Sequence, residues 1–188
     1  MKITLLGNCQ TKALSWYTQQ LDASFDVKWI CIDTFYKSNW ALTKNFKGKD
    51  IEIIFDKNES IERLKNSDYI IFQHVKPSKS KYFHSEIIKK YQSCAELISI
   101  SSFHYEPEDP QETSFKGMID RAKKLNINIP AHKIIEKYRV DDIVTIHPYH
   151  PKSLYFLELL RQICEKTGWN YYSDKQYNQY LKQGYPFG

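Results

Sequence analysis

The sequence predicts an α/β domain built on an open, mostly parallel sheet of about four or five strands flanked by helices, as a three-layer sandwich. Three observations predict this fold. Short apolar runs that are followed by Gly, Gln or Ser are typical of strands buried on both faces. Segments with apolar residues at helical spacing alternate with these runs along the chain. The first strand, helix and strand fit within about 30 residues, which is the size of one βαβ unit.

The first element is a strand over residues 2–6, whose apolar side chains on both faces predict a central position in the sheet. Apolar residues at helical spacing predict a helix over residues 11–21, and alternating apolar residues predict a second strand over residues 25–32. The remaining predicted strands are residues 51–55, 69–72 and 97–100, and the remaining predicted helices are residues 59–65, 83–91, 115–125, 131–138, 153–167 and 174–181.

The composition is that of an ordinary globular protein, with 27 Lys and Arg against 22 Asp and Glu and a formal charge of +5. Basic residues form no long runs, so we expect no nucleic-acid partner. No apolar run approaches the roughly 20 residues that a membrane span needs, and the N-terminus lacks the pattern of a signal peptide. We therefore expect a single cytoplasmic domain over residues 1–188, with no membrane span. Its open C-terminal segment is typical of a piece cut from a longer chain.

Polar turns follow three of the predicted strands at the point where each strand ends. These turns are residues 7–10, residues 73–74 and residues 101–105. The carboxyl ends of parallel strands meet at one edge of a sheet, and ligands of open α/β sheets bind there. The sequence therefore predicts a functional site at this edge.

Cys9 is the best candidate nucleophile at the predicted edge. Gly7 is expected to allow a tight strand-to-helix turn, which puts Cys9 at or just before a helix N-terminus. The helix dipole and free N–H groups at that position favour a thiolate and can stabilise an oxyanion, with Asn8 and Gln10 as further donors. The alternative is a small cysteine that packs under the helix. Three cysteines are expected to be inert free thiols, namely Cys31, Cys94 and Cys164.

A proline-rich segment before the predicted helix 153–167 carries the candidate base. His150, or alternatively His147, has a side chain suited to accepting and returning a proton near neutral pH. Asp141 or Asp142 could orient the imidazole as the third member of a triad. The same two histidines could ligate zinc, but the sequence supplies no third ligand, so we expect no metal. The remaining alternative is a loop with exposed histidines.

Three lysines lie in one predicted loop at the same edge of the sheet. Lys76, Lys79 and Lys81 alternate with serines and a proline. Such a loop suits phosphate groups, for example the pyrophosphate and 3′-phosphate of coenzyme A. The alternative is a solvated lysine loop without a ligand.

Four segments of the chain occur in the same order as the landmarks of a known family. They are Gly-Asn-Cys-Gln at residues 7–10, Tyr-Ile-Ile-Phe-Gln at residues 69–73, Phe-His-Tyr-Glu-Pro at residues 103–107 and Tyr-His-Pro-Lys-Ser at residues 149–153. Together they resemble the WcbI-type polysaccharide-biosynthesis acetyltransferases, and the first segment is the sharpest match. In the last two segments, a His and a Tyr stand where the family has Gly and Asn.

The resemblance implies an enzyme that acetylates an amino or hydroxyl group of a sugar in surface-polysaccharide biosynthesis. It implies acetyl-CoA as the donor, a sugar or nucleotide sugar as the acceptor, and a glycosyltransferase as a fused or cooperating partner. The family is itself similar to SGNH hydrolases, with cysteine in place of the nucleophilic serine, which implies an SGNH- or Rossmann-like sandwich. The expected site residues are Cys9, His150 and His147 for catalysis, Gly7, Asn8, Gln10, Gln73, His74, Lys76, Lys79 and Lys81 for coenzyme A, and Ser102, His104 and Tyr105 for the acceptor.

Two other classes of function remain open from the sequence. One is a thiol esterase or deacetylase on the same scaffold, with water as the acceptor. The other is a non-enzymatic carbohydrate- or nucleotide-binding domain, for which the 14 Tyr and 4 Trp residues would offer stacking surfaces. The lysine loop favours the acetyltransferase, and no feature of the sequence excludes the esterase.

Overall fold

A computed structural model describes residues 1–31, 52–54, 56–73, 84–101, 103, 111–138, 140–143 and 151–183 of the chain. Within these residues it has five strands and eight helices. The chain divides into two compact units, Met1–Ser99 and Ile100–Pro186, and each is described by itself. The expectation of a single domain over residues 1–188 stays a prediction.

The first unit is organised around a five-stranded sheet with the order β3-β2-β1-β4-β5. The pairings of β1 with β2, of β1 with β4 and of β2 with β3 are parallel. The predicted α/β fold class is therefore confirmed, and so is the central position of β1. The strands are β1 Lys2–Gly7, β2 Asp26–Cys31, β3 Glu52–Ile54, β4 Tyr69–Gln73 and β5 Glu96–Ile100.

Three helices connect these strands. They are α1 Cys9–Gln19, α2 Lys57–Lys65 and α3 His84–Tyr91. Helix α1 begins two residues before the predicted start of residue 11, and α2 begins two residues before residue 59. Both early starts have the same cause, because Asn8 and Asp56 cap the helices with side-chain oxygens that accept backbone N–H groups.

The helices cover both faces of the sheet in three layers. On one face, Trp29 of β2 points to α1, where its Nε1 donates to the Thr11 hydroxyl at 3.0 Å. Because side chains alternate along a strand, the neighbouring residue Ile30 points to the opposite face. There an apolar cluster packs with residues of α2 and α3, and its members are Leu6, Ile30, Ile54, Leu64, Ile70, Phe72 and Ile88.

A buried arginine ties α2 to the amino end of the sheet. Arg63 Nε donates to the Thr4 hydroxyl at 3.0 Å, and its Nη2 donates to the carbonyls of Ile3 at 3.2 Å and Asp26 at 2.5 Å. Its Nη1 donates to the Asp26 carboxylate at 2.5 Å. Ser67 completes the network, because its hydroxyl lies 2.7 Å from that of Thr4. These bonds connect α2 to both β1 and β2.

The second unit is helical in its described part. Helices α5, α6 and α8 each pack against α7, and α4 packs against α5. Two aromatic residues of α7, Tyr155 and Phe156, are fully buried, and the Tyr155 ring lies 5.1 Å from that of Phe103. The helices are α4 Gln111–Lys124, α5 Ala131–Lys137, α6 Val140–Ile143, α7 Ser153–Thr167 and α8 Asp174–Gln183. Helix α6 was not predicted, and α4 begins four residues before the predicted residue 115.

None of the helices in the described ranges combines the length and the hydropathy that crossing a bilayer requires.

Candidate functional site

The turn between β1 and α1 lies at the point where the order of the strands reverses. The chain leaves β1 toward β2 on one side, and it later returns to form β4 on the other side. In open α/β sheets, ligands bind beyond the carboxyl ends of the strands at such a switch point. Gly7 ends β1 and Gln73 ends β4, so both residues mark this position.

Asn8 determines where α1 begins. Its backbone is extended, and its Oδ1 accepts the N–H of Gln10 at 2.9 Å. Its carbonyl accepts the Thr11 hydroxyl at 2.7 Å and the N–H of Lys12 at 3.2 Å. Asn8 is therefore the N-cap, and Cys9 is the first residue of the helix. The prediction that Cys9 lies at a helix N-terminus is confirmed.

Gln73 joins β4 to this turn through both ends of its side-chain amide. Its Oε1 accepts the backbone N–H of Asn8 at 3.2 Å, and its Nε2 donates to Gln10 Oε1 at 3.0 Å. Gln73 is 1% exposed and Gln10 is 4% exposed. Both amides therefore brace the turn from below, and the coenzyme-binding role expected for them stays a prediction.

Gly7 is required by the close approach of its neighbours. A Cβ at this position would lie 2.7 Å from Gln73 Oε1, 2.7 Å from Thr11 Cγ2 and 2.8 Å from Thr11 Oγ1. Contacts this short do not occur for real Cβ atoms, so any side chain would displace Gln73 or Thr11. The sequence identified Gly7 through its effect on the turn, whereas the structure assigns its role to packing between β1, β4 and α1.

The thiol of Cys9 is half-buried at the start of α1. Burial raises the pKa of this thiol above its ordinary value, and the N–H groups of Gln10 and Cys9 and the charge of Lys12 offset only part of that rise. Burial therefore opposes the thiolate that the helix N-terminus was expected to favour. A helix N-terminus stabilises an exposed negative charge by about 0.3–1 kcal/mol, which here is less than the cost of removing the thiolate from water.

Lys12 is the residue of this site that the sequence analysis missed. It lies three residues after Cys9, on the same side of α1, and it is 2% exposed. Burial lowers the pKa of its ammonium group from 10.5 to about 8, and the electrostatic interaction with Cys9 opposes that shift. The available signal was its spacing from Cys9, but a lone lysine on a helix is usually a surface residue.

Two of the three remaining cysteines have settings that fit the expected inert thiols, whereas the exposed Cys94 does not. Cys31 is buried at the end of β2 and Cys94 is exposed. Burial, with a contribution from the nearby charge of Glu165, raises the pKa of Cys164 to about 12.

Most of the other predicted site residues lie outside the described residues, and their roles stay predictions. The described residues contain no group of three or more His, Cys, Asp or Glu side chains that could hold a metal ion. The predicted residues outside the described ranges are His74, Lys76, Lys79, Lys81, Ser102, His104, Tyr105, His147 and His150.

No protein-family model matches this chain, and no curated protein matches it. A function must therefore be inferred from the fold and from the residues around Cys9.

Proposed function

We propose that this protein is an acyltransferase that moves an acetyl group from acetyl-CoA to a sugar, with Cys9 as the first acceptor of the acetyl group. One observation carries the proposal. A half-buried thiol stands at a helix N-terminus, beyond the carboxyl end of the central strand, at the switch point of a parallel sheet. The polar groups beneath it are already paired with each other, so the turn is held in place before any substrate arrives.

The first step would be thioester exchange. Cys9 Sγ forms a bond to the carbonyl carbon of acetyl-CoA, the bond from that carbon to the coenzyme sulfur breaks, and coenzyme A leaves with the proton that Cys9 gives up. One thioester replaces another, so the step is nearly balanced in free energy. Because the pKa of Cys9 is raised, the thiol must lose its proton as it attacks.

Among the described residues, Lys12 is best suited to accept the proton that the Cys9 thiol loses. With a pKa near 8, a part of the Lys12 side chains is neutral amine at neutral pH, and this amine can take the thiol proton. The ammonium group that forms then stabilises the Cys9 thiolate by its charge. The oxyanion of the tetrahedral intermediate would meet the positive end of the α1 dipole and the amide NH₂ of Asn8, since the Asn8 oxygen and the Gln10 N–H are committed to each other.

The second step would transfer the acetyl group to the amine or hydroxyl of the sugar. In this step His150, or alternatively His147, accepts the proton of the attacking group, which then forms a bond to the acetyl-Cys9 carbonyl carbon. The bond from that carbon to Cys9 Sγ breaks, and the Cys9 thiolate that leaves takes up the proton and returns to the thiol. Lys76, Lys79 and Lys81 would bind the phosphates of the donor. A direct route is the competing mechanism, in which the sugar attacks acetyl-CoA itself and the turn at Asn8 only stabilises the oxyanion.

Mixing the protein with acetyl-CoA, without an acceptor, tests the covalent route. We expect a burst of free coenzyme A equal to the amount of protein, and an added acetyl group on the Cys9 peptide in the mass spectrum. The Cys9→Ala variant should show no burst. Cys94→Ala is the matched control, because Cys94 is exposed and should leave the burst unchanged.

Two outcomes would contradict the proposal. The absence of a burst, together with full sugar acetylation by Cys9→Ala, would remove Cys9 from the chemistry. A burst followed by steady release of coenzyme A without any sugar would show that water is the acceptor, which is the esterase reaction.

A further inference from the structure

A cavity of about 700 Å³ opens in the second unit, beside the C-terminal half of α7 and the start of α8. Its volume lies within the roughly 300–1,000 Å³ of small-molecule sites. The lining combines aromatic rings with side chains that donate and accept hydrogen bonds. The lining residues that matter for its chemistry are Arg161, Trp169, Tyr171, Asp174, Tyr177 and Asn178.

The aromatic wall of the cavity is held in place by neighbouring groups. The guanidinium carbon of Arg161 lies 5.2 Å from the ring centre of Tyr171 and 5.4 Å from that of Tyr177. The Tyr171 hydroxyl donates to the carbonyl of Leu157 at 2.9 Å. Arg161 Nη2 lies 3.2 Å from the buried carboxylate of Glu158. A ligand would therefore meet a preformed surface and would not have to order it.

The charges around the cavity disfavour ions of both signs. Glu165 and Asp174 line the opening, and Glu158 is paired with both Arg161 and Lys137, so three carboxylates stand against two cations and phosphate groups would be repelled. A cationic ligand would find the faces of Tyr171 and Tyr177 occupied by the Arg161 guanidinium. With anionic and cationic ligands disfavoured, the cavity suits a neutral ligand that has many hydroxyl groups and an apolar face.

We propose that this cavity binds a neutral saccharide. The half-buried ring of Trp169 offers a flat apolar surface to the C–H face of a pyranose. Asp174 accepts from sugar hydroxyls, the amide of Asn178 donates and accepts, and the exposed edge of Arg161 donates. The proposal goes beyond acetyl transfer, because every residue that lines the cavity belongs to the second unit and binding requires no acetyl donor.

Saturation-transfer NMR on the full chain tests this site with methyl β-D-glucopyranoside, cellobiose and N,N′-diacetylchitobiose as probes. We expect transfer to the C–H protons of at least one of these saccharides. Asn178→Ala should weaken its binding about fivefold, and Trp169→Ala should weaken it about tenfold. Gln179→Ala is the matched control, because it removes an exposed amide one residue away that does not line the cavity.

Three results would overturn the proposal. They are the absence of saturation transfer from all three saccharides, binding that neither variant weakens, and stronger binding of uridine diphosphate or tetramethylammonium at the same residues. Asn178 is exposed, so Asn178→Ala measured against Gln179→Ala decides the question even if Trp169→Ala fails to fold. The coenzyme A burst is measured without any saccharide, so a failure of either proposal leaves the other intact.

Discussion

The two ends of the central strand β1 carry polar networks of different kinds. At the amino end, Arg63 connects α2 to β1 and β2 through four hydrogen bonds, one of them to the carboxylate of Asp26. At the carboxyl end, the amides of Asn8, Gln10 and Gln73 join β4 to the first turn of α1 without any charged group. The first network uses its donors to fasten the strands, whereas the second supports a turn that carries a thiol.

This difference fits the proposal that the amino end of the sheet serves stability and that the carboxyl end holds the reactive thiol. A charged pair whose bonds go to backbone carbonyls leaves few groups for a ligand. A neutral amide network keeps the turn in place without an added charge. The charge that acts on the Cys9 thiol is therefore that of Lys12.

Replacing Arg63 should cause the largest loss of stability. Arg63→Met leaves the carbonyls of Ile3 and Asp26 without their donor, and the free energy of unfolding should fall by about 3 kcal/mol, as measured by urea denaturation. The Asp26 side chain is 43% exposed and can be hydrated, which limits the loss. Lys65→Met is the control, because it breaks an exposed pair with Glu62 and should cost less than about 0.5 kcal/mol.

The ion pair between Arg63 and Asp26 should make the free energy of unfolding depend on pH in the acid range. Burial works to raise the pKa of Asp26, but the hydrogen bond and charge of Arg63 outweigh it and lower the pKa. This stabilisation is present above the unfolded pKa of about 3.9 and is lost as the pH falls through the lower folded pKa. Asp26→Asn should therefore flatten the acid side of the stability curve. An unchanged curve would show that Arg63 does not stabilise the charged form of Asp26.

Replacing Lys12 should raise the free energy of unfolding, whereas replacing Arg63 should lower it. Its folded pKa of about 8 lies below the ordinary 10.5, so the unfolded chain binds more protons between these values and stability rises with pH across this window. Lys12→Met should therefore increase the free energy of unfolding by about 2 kcal/mol at pH 7, and the difference from the parent protein should vanish near pH 10.5.

The same variant should slow the alkylation of Cys9 by iodoacetamide, because the Lys12 charge lowers the pKa of that thiol. The exposed Cys94 provides the reference rate in each sample. A variant that is less stable than the parent at pH 7, with unchanged alkylation of Cys9, would show that Lys12 serves only the packing of α1.

Adding a methyl group at Gly7 should disturb the packing at the carboxyl end of β1 and leave the Arg63 network at its amino end unchanged. Gly7→Ala places a Cβ 2.7 Å from both Gln73 and Thr11, and the shift that it forces should cost about 1.5 kcal/mol of stability in urea denaturation. Gly117→Ala is the matched control, because its Cβ meets no atom within 4 Å and a helical Gly→Ala change should stabilise. Equal effects at the two glycines would contradict the close packing beneath the turn.

The sequence predicted the parts of this site that follow from local chemistry. Cys9 and Gln73 could be placed at one edge because each follows a short apolar run that reads as a parallel strand. The burial of Lys12 could not be predicted, because it depends on how completely α1 is enclosed from Gln10 to Thr18. The raised pKa of Cys9 was missed for the same reason, since desolvation is a property of the packed structure.

The amino-end network shows the same limit. Arg63 carries no sequence signal that separates it from a surface arginine on a short amphipathic helix, and its partners Thr4 and Asp26 are distant in sequence. The cap residues Asn8 and Asp56 are local signals of helix starts, and using them would have corrected the two-residue errors at α1 and α2.

Two glutamines bridge α1 to the sheet, one at each end of the helix. Gln73 connects β4 to the first turn of α1, and Gln19 makes a similar bridge at its last turn, donating to the carbonyl of Phe25 at 2.8 Å and accepting the N–H of Val27 at 3.3 Å. Gln73→Ala and Gln19→Ala should each lower the free energy of unfolding by about 1 kcal/mol, because each leaves two hydrogen-bonding groups without their partner.

The two variants should differ at Cys9. Gln73→Ala frees the N–H of Asn8 and removes the brace beneath the cap, so the first turn of α1 can move and the alkylation rate of Cys9 should change severalfold relative to Cys94. Gln19→Ala removes a bridge at the opposite end of α1 and should leave that rate unchanged. If both variants alter Cys9 equally, α1 responds as one rigid body, and the amide network at the carboxyl end has no special part in positioning the thiol.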